Sequence, residues 1–159
     1  MKREMKYYVY RIKYKKNIGY YLWYSEDEKE RFLIHKDKLR YFSSIEDINH
    51  FKESEGFLVE DDGMIVVIKE TFFAEEIDCN YFLELWNLAE DVCASFGQEL
   101  RELISKWNTS TLYEKIFWGN NFEALTPPGK EYIPTFDREE RLALNELHKK
   151  FQAVIVSKL

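Results

Sequence analysis

The sequence is poor in residues that interrupt or cross-link a chain, with 3 prolines, 6 glycines and 2 cysteines among 159 residues. A hydrophobic content of 45%, including 17% aromatics, is ample for a packed core and argues against a disordered protein. No run of about 18 apolar residues occurs, so the sequence predicts no membrane-spanning helix. The basic, tyrosine-rich N-terminal segment lacks the apolar centre of a secretion signal, and we expect a cytoplasmic protein.

The two cysteines predict free thiols. Cys79 and Cys93 fall in one predicted helix, where a spacing of 14 residues separates them by about 21 Å along the axis. A disulfide requires Cα atoms within about 7 Å. Both should therefore be reduced, as is usual in the cytosol.

Charge is unevenly distributed along the chain. The net charge is −6, but residues 1–42 carry 12 Lys and Arg against 6 Asp and Glu, whereas residues 43–104 carry 3 against 16. Such segregation produces a local field that attracts an oppositely charged partner. The middle third of the chain should therefore prefer something basic.

Strand patterns dominate residues 1–70. Every second residue from Lys6 to Tyr14 is apolar or aromatic, and Ile18–Tyr24 forms a second aromatic-rich segment, which predicts an N-terminal hairpin. Ser25–Glu30 reads as a charged connection, and one or two short strands follow around His35 and Leu39–Tyr41. Asp62-Gly63 between two apolar runs predicts another hairpin, so we expect an antiparallel sheet of four or five strands.

Helical periodicity dominates residues 78–159. Asp78 and Gly97 bound one predicted helix, and a second carries Leu100 to Trp107. A third begins near Thr109, and Asp137, with a glutamate three residues on, forms a capping box for a fourth. A shorter helix capped by Ser44 lies among the strands. Strands followed by helices predict an α+β fold, which we interpret as a single domain over residues 1–159.

No catalytic or cofactor motif is present. The three histidines, His35, His50 and His148, lie in different predicted elements and are expected at the surface or its boundary. Metal-binding spacings, nucleophile elbows and glycine-rich phosphate loops are all missing, so the sequence predicts neither an enzyme nor a metal or nucleotide cofactor. The acidic run Glu60-Asp61-Asp62 has the ligands for a hard cation, but it is more typical of a solvated turn.

Two alternative functions stay open. A small hydrolase would need paired carboxylates, but Asp78 and Asp91 lie about 20 Å apart along one helix, too far to cooperate. An RNA-binding module could use the hairpin, where lysines alternate with tyrosines. The acidic character of the whole chain disfavours it, because RNA binders are usually basic.

The helix after Asp78 has a polar side as well as an apolar one. At 100° per residue, Asn80, Asn87 and Asp91 cluster opposite the apolar stripe, where they can hydrogen-bond a partner or simply face water. Trp86 lies at the flank of the stripe and is a candidate for the core boundary or for an interface anchor.

Two stretches together resemble a known class of protein. One is Cys79–Asp91 (CNYFLELWNLAED), and the other begins at Tyr113–Asn121 (YEKIFWGNN) and continues through Thr126-Pro127 and Gly129 to Pro134. They resemble bacterial immunity proteins of contact-dependent growth inhibition and related polymorphic toxin systems. The resemblance covers residues 78–136, about a third of the chain, and implies a small cytoplasmic protein that binds and blocks a cognate toxin, often a nuclease.

The resemblance and the charge pattern together predict a site that binds a basic protein toxin. An acidic surface can occupy the basic substrate groove of a nuclease and speed association with it. We expect exposed aromatics to serve as anchors, and we expect no membrane or direct nucleic-acid partner. The Trp86-Asn87 and Trp118–Asn121 segments should have mainly structural roles. The candidate contacts are polar or acidic side chains: Glu60, Asp61, Asp62, Glu75, Glu76, Asp78, Asn80, Asn87 and Asp91.

Overall fold

The computed structural model describes residues 5–159, in which strands form a mixed sheet covered by helices. The elements in this range follow in the order β1 Lys6–Tyr14, β2 Asn17–Glu26, β3 Lys29–Phe32, β4 Ile34–His35, β5 Lys38–Leu39, α1 Ile45–Glu55, β6 Leu58–Ile68, α2 Cys79–Ser95, α3 Leu100–Leu103, α4 Thr109–Trp118 and α5 Arg138–Val156. Strands precede most of the helices, and the predicted α+β class is confirmed.

The main sheet has the strand order β3-β2-β1-β6 and is mixed, whereas the sequence predicted an antiparallel sheet. β1, β2 and β3 form antiparallel pairs, with Tyr10 opposite Tyr21 and Trp23 opposite Phe32. β6 instead lies parallel to β1. Parallel neighbours need a crossover connection, and residues 15–57, which include α1, provide it.

The hairpin predicted at Asp62-Gly63 is wrong, because β6 continues through both residues. Its register against β1 shifts between Tyr8 and Tyr10, so the extra residues of β6 form a bulge. Gly63 has a φ of 75°, which glycine adopts without strain, and its N–H donates to the Asp61 carboxylate at 2.8 Å. β6 pairs with β1 both before and after Asp62-Gly63. These two residues therefore form a bulge within one strand and do not reverse the chain as a hairpin turn would.

The segment Ser25–Glu30, predicted to be a connection, instead contains the start of β3. Asp27 and Glu28 have φ values of 51° and 63°, and Glu26 pairs with Lys29 across this two-residue turn. Positive φ at both central residues matches the twist of a hairpin. The Asp-Glu pair lacks the glycine that usually signals such a turn, so the sequence pattern missed it.

The predicted helix caps at Ser44, Asp78 and Asp137 are confirmed, and each side chain accepts a hydrogen bond from a backbone N–H of the first helical turn. The helix predicted to extend to Trp107 is shorter, since α3 ends at Leu103. Beyond it the backbone forms turns, in which the Trp107 N–H donates to the Ile104 carbonyl at 3.2 Å.

The helix α2 is central to the core. It packs against β3, α3, α4 and α5, and Phe82, Leu85 and Ala89 are fully buried. The main hydrophobic cluster continues from Ile12 in the sheet to Phe151 in α5. A smaller cluster lies between the other face of the sheet and α1. Because other elements cover α2 on several sides, its buried surface is wider than the single apolar stripe that the sequence predicted.

The prediction that His148 lies at the surface or its boundary is wrong, because this side chain is only 2% exposed. Its Nε2 lies 2.8 Å from the Tyr81 hydroxyl, and its ring stacks on Phe72 with centroids 4.7 Å apart. Burial lowers the pKa of His148 to about 4, so the imidazole is neutral at pH 7 and behaves as a core residue.

Both cysteines have free thiols, as predicted. Within residues 5–159, none of the helices combines the length and the apolar character that a membrane span requires.

Candidate partner-binding surface

A groove of about 810 Å³ lies at the N-terminal end of α2. Its walls come from the segment before this helix, from the end of α4 and from the loop that leads to α5. They consist of Ala74, Glu75, Glu76, Ile77, Asp78, Cys79, Asn80, Gly119, Asn120, Asn121, Tyr132, Ile133, Pro134, Thr135, Phe136 and Arg141. We call this feature the acidic groove. It brings together four of the nine predicted contact residues.

Three of these four are exposed carboxylates. Glu75, Glu76 and Asp78 form no ion pair within residues 5–159. Asp78 caps α2 by accepting from the Tyr81 N–H at 3.1 Å, and acidic groups are favoured at this end of a helix. The cation in the wall, Arg141, donates to the Phe136 carbonyl at 2.8 Å rather than to a carboxylate. The carboxylates are therefore available to an external basic group.

The fourth, Asn80, is part of a network that fixes the wall. Its side-chain amide donates to Asn120 Oδ1 at 3.3 Å. Asn120 in turn donates to the Ile116 carbonyl at 2.8 Å and to the Cys79 carbonyl at 3.3 Å. The neighbouring Asn121 exchanges two hydrogen bonds with the backbone of Tyr132, at 2.6 and 2.9 Å. The asparagines thus hold the loop to α2 and α4.

Close packing at Gly119 completes this junction. A Cβ atom at this position would lie 2.5 Å from Cys79 Sγ and 3.0 Å from both the Lys115 carbonyl oxygen and Pro134. Only glycine lets the end of α4 approach the start of α2 this closely. The two stretches that carry the family resemblance therefore meet here, and Gly119-Asn120-Asn121 has the structural role predicted for it.

Exposed apolar side chains adjoin the acidic groove. Ile133 is 84% exposed and Tyr132 40%, and Phe73, next to Ala74, is 71% exposed. Trp118 is 48% exposed, although the sequence placed its segment in a structural role. Trp118 and Tyr132 also line a neighbouring cleft of about 480 Å³. Aromatic side chains beside polar ones are typical of protein interfaces. The sequence did not identify these aromatics, because their exposure depends on tertiary packing, which periodicity does not reveal.

Glu60, Asp61 and Asp62 do not line the acidic groove. Glu60 forms an ion pair with Lys6 at 2.9 Å, and Asp61 binds the Arg11 guanidinium through both oxygens at 2.7 and 2.9 Å. This bidentate contact lowers the pKa of Asp61 to about 2. Two of the three charges are thus paired with cations of β1, and these predicted contacts lie apart from the acidic groove.

Asn87 and Asp91 line a separate cleft of about 350 Å³ between α2 and the sheet, together with Trp23, Glu30 and Glu84. Asn80 lines the acidic groove instead, so the three side chains that were predicted to cluster line two separate clefts. Asp91 faces the sheet, where Trp23 Nε1 donates to its carboxylate at 3.1 Å. Burial raises the pKa of Asp91 to about 7.

The structure also places the residues on which the two alternative functions would depend. Asp78 and Asp91 line different clefts, so they do not form a carboxylate pair. Within residues 5–159, no three His, Cys, Asp or Glu side chains converge as metal ligands would. Of the hairpin tyrosines, Tyr7, Tyr10 and Tyr21 are buried, whereas Tyr8, Tyr14, Tyr20 and Tyr24 are partly exposed. Trp86, which the sequence placed at the flank of α2, is also buried in the core.

Comparison with protein-family models, with curated proteins and with solved structures finds no match for this chain. The resemblance of residues 78–136 to immunity proteins therefore stays an expectation.

Proposed function

We propose that this chain is an immunity protein that binds a cognate protein toxin and blocks it stoichiometrically, without turnover. The observation that supports this proposal is the acidic groove. Its carboxylates Glu75, Glu76 and Asp78 have no cationic partner within residues 5–159, and exposed apolar side chains lie next to them.

The groove fits the chemistry of a basic partner. A toxin that cleaves nucleic acid needs cationic side chains to bind phosphates, and these are the groups that the groove carboxylates would attract. Opposite charges speed the encounter, while buried aromatic contacts slow dissociation. A bound inhibitor then excludes the substrate from the toxin's active face. The hydrogen bonds of Asn80, Asn120 and Asn121 tie the walls of the groove together, and a wall that is already ordered lowers the entropic cost of association.

The proposal can be tested with a candidate toxin domain, to be sought among the genes that neighbour the one encoding this chain. Purified chain and toxin domain should form a 1:1 complex in titration calorimetry, and co-expression should protect cells from the toxin. Replacing the groove carboxylates together (Glu75→Gln, Glu76→Gln and Asp78→Asn) should weaken binding by about tenfold or more, mainly through slower association at low salt. The asparagine at 78 retains a helix cap, so the fold should survive.

A matched control removes three other exposed carboxylates, Glu46→Gln, Glu53→Gln and Glu55→Gln, from α1. This variant has the same net charge as the groove variant but an intact groove, and it should bind nearly as the native chain does. Absence of any complex with the native chain would remove the immunity function. Equal weakening by both variants would show that net charge, rather than the groove, governs binding.

A further inference from the structure

The cleft beside the acidic groove is built from one face of α4 and a single loop residue. Thr111, Glu114, Lys115 and Trp118 recur at the spacing of one helical face, and Tyr132 closes the cleft from the loop. Leu112 and Ile116 on the opposite face of α4 are buried in the core. The buried side of α4 therefore anchors the helix in the core, and Thr111, Glu114, Lys115 and Trp118 on its other side line the cleft.

The aromatic walls of the cleft are held in place but have free surface. Trp118 packs edge-on against Phe117, with ring centroids 5.3 Å apart, yet almost half of it is exposed. The backbone of Tyr132 is fixed by its two hydrogen bonds to Asn121. The exposed indole and phenol rings can attract a cation through their faces.

The charges in the cleft also favour a cation. Lys115 is occupied, since its ammonium donates to the Thr135 carbonyl and to Glu140, each at 2.9 Å. Glu114 is exposed and forms no ion pair within residues 5–159. The free charge that faces an incoming group is therefore negative.

We propose that this cleft binds an arginine side chain of the partner protein between Trp118, Tyr132 and Glu114. A guanidinium is planar and weakly hydrated, so it stacks on aromatic rings and donates to a carboxylate at the same time, which an ammonium does less well. A volume of about 480 Å³ is sufficient for one such side chain. The inference rests on the proposed function only in assigning this arginine to the toxin.

The test uses N-acetyl-arginine methylamide as the probe, and its neutral isostere N-acetyl-citrulline methylamide as the reference. In ¹H–¹⁵N spectra of the native chain, the arginine probe should shift the Trp118 indole N–H signal, with a Kd of about 1–10 mM. Citrulline has the same shape without the charge and should shift that signal several-fold less. Trp118→Phe assigns the signal among the four tryptophans.

Two variants test whether Glu114 and Tyr132 contribute to binding of the probe. Glu114→Gln should weaken binding of the probe by about two- to fivefold, and Tyr132→Leu should remove most of the shift. Glu123→Gln, an exposed carboxylate outside the cleft, is the matched control and should have no effect. Equal shifts with arginine and citrulline, no shift at Trp118, or equal effects of the two glutamine variants would each overturn the proposal. Because the probe replaces the toxin, these results are independent of whether a toxin complex forms.

Discussion

At the scale of single residues, Asp91 is the side chain whose chemistry departs furthest from its ordinary behaviour. Burial disfavours its negative charge, and the nearby carboxylates Glu30 and Glu90 add to this effect, which outweighs the hydrogen bond from Trp23 that favours the charge. Its pKa of about 7 means that the folded protein keeps a proton there that the unfolded chain releases near pH 4. The free energy of unfolding therefore falls as pH rises from about 4 to about 7, and the loss is complete above that range.

We predict that Asp91→Asn stabilises the fold in a pH-dependent way. The amide oxygen still accepts from Trp23 but never ionises, so the gain should be roughly 2–4 kcal/mol at pH 8 and approach zero near pH 4. Urea denaturation at several pH values measures it. The exposed Asp62→Asn is the control and should lack this pH pattern; a constant effect of Asp91→Asn across the range would contradict the prediction.

A second residue-scale prediction concerns Gly119. Its φ of −65° suits any residue, so Gly119→Ala would ordinarily be neutral or slightly stabilising. Here the added methyl meets Cys79 Sγ at 2.5 Å, and we expect a loss of roughly 1–3 kcal/mol. Cys79→Ala removes the sulfur and should reduce the cost of Gly119→Ala in the double variant. Thermal denaturation of the four proteins gives the coupling energy, and strict additivity would show that the two positions do not meet.

At the scale of elements, β6 is an edge strand with an unusual composition. Its first half has a bulge and three acidic residues, which discourage pairing with another chain. Its second half, Met64–Ile68, has no charge, and Ile65 and Val67 are about half exposed. The opposite edge, β3, is short and charged, and its Phe32 N–H donates to Ser95 in α2. The second half of β6 is therefore less protected than β3 against pairing with a strand of another molecule.

We predict that Val67→Lys slows aggregation on heating while changing the free energy of unfolding by less than about 0.5 kcal/mol. Light scattering during a temperature ramp measures the effect. The control is Leu142→Lys, which adds the same charge at an exposed apolar position of α5, outside the sheet. Equal protection by both variants would indicate a general effect of charge rather than of the edge.

The elements that sequence reasoning recovered are those whose signals are local. The side-chain caps at Ser44, Asp78 and Asp137 depend on residues three positions apart. The first hairpin was recognised from the alternation of apolar and polar residues within a strand. The parallel pairing of β6 was missed because it joins residues about 50 positions apart, which no local pattern encodes. In the candidate site, the carboxylates before α2 were predictable from their clustering, whereas the exposure of Trp118 and the burial of Asp91 depend on how α2 and α4 pack.

At the scale of the whole molecule, strands and helices share their core. The main hydrophobic cluster joins Ile12, Phe32 and Val66 in the sheet with residues of α2, α4 and α5. Neither the strand-rich nor the helix-rich half can bury this surface alone. Stability should therefore belong to the chain as one unit.

We predict a single cooperative unfolding transition. Far-ultraviolet circular dichroism, which follows the helices, and tryptophan fluorescence, which includes Trp23 in the sheet, should give the same midpoint. A fragment spanning residues 72–159 should show no cooperative transition of its own. Two separated transitions, or a folded fragment, would indicate that the halves are independent.

The parallel pairing of β1 with β6 has a consequence for how the protein is made. Translation proceeds from the N-terminus, so β1, β2 and β3 leave the ribosome while β6 and the helices α2 to α5 do not yet exist. During that interval β1 has no partner on the side that β6 later occupies. The aromatic face of β1, β2 and β3 that later contacts the helices also has nothing to pack against. Completion of the sheet requires a contact of long sequence separation, which forms slowly. The nascent chain should thus be most dependent on chaperones before α2 emerges.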